Sequence, residues 1–485
     1  MSLLVREGGV EPPRINPLDP KSSASASSAT LAKRPDLGSV WESASIPPGL
    51  RDDLLPPNAT FPKPFTSNQH RFVWTERGPS LRRLLPLGVC FLGLGTLFPA
   101  PSALALDIRV SPPDSVFVTA IHRTGGVYDL LIQNIVVVNP GPDSVRLDSF
   151  SIELSRQGTP FITETFTGPL LERMWEIQRN YFTKPGVQQA EESTFQFHRL
   201  LGDTIALAPS GLTLASRSAM FIMKEPFTTR VPPDQAKLTA KGLQNGNPVH
   251  AELTLKVTKH SSPNDYVFPL RGRWYVNAAS SFQSHHRWRP AHEFALDLLQ
   301  IGAGGSTYRG TGTQHADYYA FGQDVIAVAD GTVVTAENDY PETDLPRPGE
   351  SPDDFAERVL TPMWDKDPSG ALATGNTVVI QHPGNEYSFY CHLQTGSVRV
   401  HKGDHVKRGQ VIAKVGMSGD GRQPHLHFQI GDSPDATTSR AFPLVFSNIK
   451  PVSFASTIDT EGKRVLQTGE FVETRPVTTS AAKKP

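Results

Sequence analysis

The chain has 485 residues, 38% of them hydrophobic and 20% charged, and a formal net charge of −1. That is length for two or three domains of ordinary soluble composition. With no positive field and no long Lys/Arg run to line a groove, nucleic acid is excluded as a partner.

Residues 1–80 are rich in Ser, Pro and Ala ("PKSSASASSATLA") and lack any sustained period of 2 or 3.6. They are read as disordered, or as a mis-assigned start of translation. Residues 81–105 place Arg82 and Arg83 ahead of an apolar stretch and end on Ala103 and Ala105. Basic, apolar and A-x-A parts in that order predict a signal peptide cleaved after Ala105. The competing membrane helix is short, about 17 residues broken by Pro86 and Pro99 against the roughly 20 that a span needs. No stable membrane span is therefore expected after cleavage, and the protein is expected to be exported, to the periplasm or beyond. A lipidated Cys90 is disfavoured by the bulky Val89 before it. Of the two cysteines, Cys90 leaves with the signal, so Cys391 remains without an internal disulfide partner.

From 106 to 270 short alternating runs dominate ("SVFVTAIH", "VRLDSFSIELS", "AELTLKVTKH"), with turns at Asn139-Pro140-Gly141 and Asn245-Gly246. They predict a β-sandwich-like accessory domain. One helix interrupts it after Pro169, where Leu170, Met174, Ile177 and Tyr181 share a face and are read as core. Residues 271–455 form a second β-rich domain. Within it, "VRVHKGDHVKRGQVIAKVGMSG" has the short strands and tight turns of a small barrel, and 336–372 is a long polar loop with at most one short helix. Residues 456–485 are a C-terminal extension, expected to be disordered beyond about 470.

Ten of the fifteen histidines lie between 285 and 427, which makes the second domain the place to look for chemistry. "RPAHEFALDL" (289–298) puts Asp297 in an apolar run that reads as a buried strand. An ionised carboxylate there costs several kcal/mol or more unless it is paired or binds a metal. "PHLHF" (424–428) sets His425 and His427 on one face of a strand, so that one can hold a metal while the other reaches its bound water. "FYCHL" (389–393) adds His392 on an apolar strand. Singly each of these is a packed core residue or a weak motif. Together an Asp and three His have one explanation, since catalytic zinc takes three N or O ligands and keeps water in the fourth position. Cys391 beside His392 is read as a packed thiol, because neighbours on a strand point to opposite faces. His285 and His286 read as a solvated loop, although one could reach a metal.

In this order, "AHEFALDL", "GQDVIAVADGTVV", "GNTVVIQHPGNEYSFYCHL", "VHKGDHVKRGQVIAKVGMSG" and "PHLHF" resemble the M23 family of zinc metallopeptidases, of the LytM or lysostaphin type, over about 290–430. The resemblance implies a mainly β protein whose M23-type domain is built on a duplicated hybrid motif. It also implies hydrolysis of peptidoglycan peptide bonds, with Zn2+ held by Asp297 and His427, and His392 and His425 as the catalytic imidazoles.

The sequence departs from the family at the first motif, where the His that should stand four residues before the Asp is replaced by Glu293. Strand parity favours Glu293 as the third ligand. A β-bulge between 292 and 297 would restore His292 to the metal's face, and His292 also supplies a neutral ligand. His292 with a bulge is therefore expected, ahead of Glu293 and then His286. Two other function classes remain open. One is a non-catalytic regulator of the same fold that binds peptidoglycan or activates another hydrolase. The other is a phosphoryl or lipoyl carrier, suggested by "GDHVKRGQVIAKVG" and disfavoured by export.

Overall fold

A computed structural model of the chain describes residues 105–112, 115–121, 126–184, 187–367, 370–452 and 465–477. The expected N-terminal extension, Cys90 and, Ala105 apart, the signal peptide lie outside the described residues.

The chain is mainly β, as expected. Its first half forms a ten-stranded sheet. Eight strands run in the order Thr159–Thr167, Val145–Arg156, Gln235–Gln244, Asn247–Thr258, Ser115–Ala120, Tyr128–Asn139, Ser218–Thr229 and Ala206–Leu207, and two short strands flank them. One parallel pairing, Lys256 opposite Ser115, joins the two halves of this order. A single apolar core gathers residues from both, Phe150 and Leu238 from one and Ile135 and Phe221 from the other, in a sandwich-like arrangement. Val145–Arg156 alternates buried and exposed residues as a half-buried strand does. Tyr128–Asn139 is buried from its second residue on, as a strand covered on both faces must be. Asn245 and Gly246, both at positive φ, turn the hairpin between Gln235–Gln244 and Asn247–Thr258.

The helix Gly168–Phe182 begins with Pro in its first turn, as expected, but buries a different face. Leu171, Trp175, Gln178 and Phe182 are buried, whereas Leu170 and Ile177 are 54% and 37% exposed. Two adjacent apolar stripes compete on this helix. The one carrying Trp175 and Phe182 removes more apolar area from water, at about 25 cal/mol per Å2, and it faces the sheet.

The second half has its own core and a nine-stranded sheet. Its order is His405–Val406, Gly331–Ala336, Asn376–His382, Glu386–Leu393, Leu426–Gly431, Leu296–Leu299, Arg273–Ala278, Phe471–Thr474 and Ile449–Pro451. Two expectations are corrected here. Phe471–Thr474 is a strand paired with Arg273–Ala278, where disorder was expected beyond about 470. The polar loop 336–372 holds the helical segments Pro352–Phe355, Ala356–Leu360, Thr361–Lys366 and the start of Ala371–Thr374, well beyond one short helix. Ser351 caps the first of these, accepting from the Asp354 N–H at 3.1 Å, and Phe355, Ala356 and Leu360 pack on Met417 in a small core of their own. The Asp- and Pro-rich composition concealed that apolar period.

Candidate metal and catalytic site

Asp297 sits in the short strand Leu296–Leu299, opposite His427, which in turn stands opposite Cys391. This register brings three strands of the sheet to one level. A bulge at Asn277 in the neighbouring strand, between Val276 and Ala278, lies directly across from Asp297, where a bulge re-aims side chains. Asp297 is 8% exposed and its company is imidazole. His427 Nδ1 lies 3.0 Å and His425 Nε2 3.7 Å from its Oδ1, while His286 Nε2 is 3.4 Å from Oδ2. Burial works against this carboxylate, but His286, His427 and His425 outweigh it and hold the acid well below its usual range. Burial likewise opposes charge on His427, yet the hydrogen bond and charge of Asp297 keep it above the ordinary imidazole value. In His286 and His392 burial wins and pushes both well below that value.

The segment ahead of Asp297 departs from the expected strand. His285–Trp288 is a single 3-10 turn whose His286 N–H donates to Ser284 Oγ. Two further turns follow, closed by His292 N–H to Arg289 O at 2.9 Å and Ala295 N–H to His292 O at 2.8 Å. Pro290 lacks an N–H and disfavours helix before it, which sets Arg289 extended and starts the first turn. Neither strand parity nor a bulge within 292–297 therefore governs these side chains, and the three rival residues separate. His286 touches Asp297. His292 stands with its ring 5.1 Å from that of His427 and 5.9 Å from that of His286, without a bond to Asp297 among the described contacts. Glu293 turns away, accepting from Arg287 Nη1 at 2.9 Å and from Gln133 Nε2 at 3.2 Å. Sequence reasoning ranked His286 last because a loop histidine eleven residues before the Asp has no periodic relation to it.

The remaining imidazoles are held through Nδ1. His392 pairs with Ser418 O and His425 with Gln423 O, each at 2.8 Å, and His286 with Ala295 O at 3.2 Å. A carbonyl can only accept, so each of these Nδ1 atoms donates, and in the neutral imidazole Nε2 is then the acceptor. His427 is held the other way, with Nε2 on Gln429 Oε1 at 2.9 Å. Gln429 escaped sequence reasoning, although it stands two residues after His427 and so on the same strand face. His392 has φ +59 at a register shift in the strand Glu386–Leu393, a conformation uncommon for a non-glycine and typical of functional sites. It turns the ring into the same cavity that Cys391 lines, so these neighbours do not point to opposite faces as expected. The thiol stays inert, because burial pushes Cys391 up to about 12. Gly375, at φ +61, lets the loop approach Ser418, where a Cβ would stand 2.4 Å from the carbonyl.

These groups line one cavity of about 120 Å3. Arg289, Trp364, Asp420 and Thr437 contribute to its wall, with Trp364 donating to Asp420 Oδ2 at 3.1 Å. Ser193 of the accessory domain also reaches it. His285, His286 and Asp297 offer ligand atoms that all lie within 4.8 Å of one another. Imidazoles around a buried carboxylate are the donor set that zinc takes, and the residues fit that ion.

Residues 361–438 match the family model described as Peptidase family M23. That span contains His392, His425 and His427, whereas His286 and Asp297 lie before it. The peptidoglycan DD-endopeptidase ShyA of Vibrio cholerae serotype O1 is 36% identical over 83 residues, 16% of this chain and 19% of that protein. The peptidoglycan DD-endopeptidase ShyB of the same organism is 35% identical over 83 residues, with the same shares. The chain thus spans about a fifth of the length of the curated relatives it matches. Among solved structures, the catalytic domain of the antimicrobial peptidase lysostaphin from Staphylococcus simulans is 18% identical, covering 35% of this chain and 88% of that one at a TM-score of 0.20. A zinc containing peptidase from Vibrio cholerae is 13% identical, covering 67% of this chain and 83% of that one, also at 0.20. The family match bears out the resemblance read from the ordered motifs.

Proposed function

We propose that this chain, which carries a Peptidase family M23 domain, is an exported zinc-dependent endopeptidase that hydrolyses peptide bonds of peptidoglycan. One observation carries the reading: a buried Asp297 ringed by imidazoles at a cavity wall. His286, Asp297 and His427 would hold the zinc, His286 replacing the expected His292. His286 turns its Nε2 towards Asp297, and the Nδ1 of His427 faces Asp297 while Gln429 fixes its other nitrogen, the outer contact that orients a ligating imidazole. When bound, zinc acidifies a water and polarises the scissile carbonyl.

The other imidazoles supply proton transfer. His425 and His392 both meet the cavity with Nδ1 tied to a carbonyl, so as neutral imidazoles each offers Nε2 as the acceptor. His425 lies nearer the ligands, 3.7 Å from Asp297 Oδ1, and takes the proton of the attacking water, then returns it to the leaving amine. His392, whose ring lies 4.7 Å from that of His425, accepts a hydrogen bond from the O–H that the water keeps and fixes its direction.

Metal analysis of the protein from Leu106 onward should find about one zinc per chain, and chelation should abolish release of amino groups from peptidoglycan. A folded protein without bound transition metal at neutral pH would refute the reading.

A further inference from the structure

The turn that carries His285 and His286 is held from outside its own domain. Arg287 follows His286 directly, is 0% exposed, and lies between two carboxylates. Its Nη1 donates to Glu293 Oε1 at 2.9 Å, and its Nη2 faces Asp129 Oδ2 at 3.7 Å. Asp129 belongs to the strand Tyr128–Asn139 of the accessory domain and also accepts from Thr119. From the same strand Gln133 donates both to the backbone carbonyl of Arg287, at 3.1 Å, and to Glu293 Oε2, at 3.2 Å.

Gln133 is itself fixed. Its Oε1 accepts from the buried Lys224 at 2.7 Å, and Lys224 also donates to Thr194 O, beside the cavity-lining Ser193. The strand is bulged at this point, with Asn134 at φ +46 and the register shifting between Ile132 and Ile135, the device that re-aims a side chain. Phe282 and Phe294 stack over the Arg287 guanidinium at 5.2 and 5.1 Å. Four buried charged side chains at a junction are costly, and apolar residues could close it more cheaply. What apolar packing lacks is direction: the Gln133 amide donates to the Arg287 carbonyl itself, and the guanidinium is tied to Glu293 by a hydrogen bond and to Asp129 by charge.

We infer that Asp129 and Gln133 of the accessory domain are positioning residues for the metal-binding turn, so that the proposed zinc site is a two-domain assembly. The inference rests on the reading of His286 as a ligand. It assigns the accessory domain a role within the site itself, and the two residues act through Arg287 and Glu293 without touching metal or substrate.

The test compares Asp129→Asn and Gln133→Met, both close in volume to the native residue, with Leu238→Ala, which destabilises the accessory core from the strand Gln235–Gln244. Two quantities are read in the full chain: zinc affinity, and the imidazole 1H–15N resonances of His286 and His292 in the metal-free protein. Asp129→Asn and Gln133→Met should weaken zinc roughly 3–10-fold, below or at the edge of what residues directly behind ligands cost, and should shift both rings. Leu238→Ala should lower Tm and leave both readouts unchanged. If the two junction variants match the parent in affinity and resonances while Tm falls, the network is only structural and the inference is wrong. Should Asp129→Asn fail to fold, Gln133→Met decides alone. A parent that binds no zinc sinks the proposed function instead, and the ring resonances then decide this inference.

Discussion

A carboxylate as buried as Asp297 stays ionised only where its neighbours favour the charge; His427 donates to it from Nδ1, and the rings of His286 and His425 stand beside it. This arrangement separates three residues that the sequence alone left in competition. His286→Ala should weaken zinc by more than the roughly 10–100-fold typical of a residue behind the ligands, whereas His292→Ala should stay within or below that range. Glu293→Ala should act mainly on stability, costing about 3–5 kcal/mol, because it leaves the Arg287 charge buried and short of a partner. Zinc titration of the three variants with parallel denaturant unfolding checks this. Loss of zinc in His292→Ala with retention in His286→Ala would reverse the ligand assignment. Asp297, His392, His425 and His427 were legible in the sequence because each lies in an apolar run where a polar side chain demands a reason. His286 was illegible because only the turns at 289–295 bring it back over the strand.

At the scale of elements, a second polar cluster ties the segment after the accessory domain to the site-bearing strand Glu386–Leu393. Glu386 accepts from Tyr266 Oη at 2.6 Å, Ser262 Oγ at 2.5 Å and Asn264 Nδ2 at 3.0 Å, and pairs with His260 Nε2 at 3.1 Å. Burial raises this acid, but the four donors overcome it and lower it from its ordinary 4.5 to about 2. A folded-state value below the unfolded one stabilises the protein above about pH 4.5, and the contribution fades as pH falls towards 2. It amounts to no more than about 3 kcal/mol. Unfolding of the parent and Glu386→Gln should therefore differ most near neutral pH and converge between pH 4.5 and 2. A difference that is constant over that range would show the carboxylate's charge to be irrelevant. Strands and hairpins were legible from alternation and from turns such as Asn245-Gly246. The helix face at 168–182 was misread because two apolar stripes adjoin, and the helices at 352–374 because acidic residues and prolines masked their period.

At the scale of the whole molecule, two β cores meet across Phe117, Phe294 and Ala441, with Arg440 stacked 4.0 Å over Phe117 and donating to Ser115 O. The mainly β class and the M23-type half followed from composition and ordered motifs. The junction did not, because long-range pairs such as Asp129 with Arg287 leave no local pattern in a single sequence. No helix among the described residues is long and apolar enough to cross a membrane. The proposed function stands on one activity, and its most direct measurement is a digest of peptidoglycan by the parent and His425→Ala, with zinc content determined on the same samples. New amino termini without new reducing ends should appear with the parent alone, while both proteins carry zinc. A fully zinc-loaded parent that releases no amino termini would contradict the account and leave a regulator of the same fold.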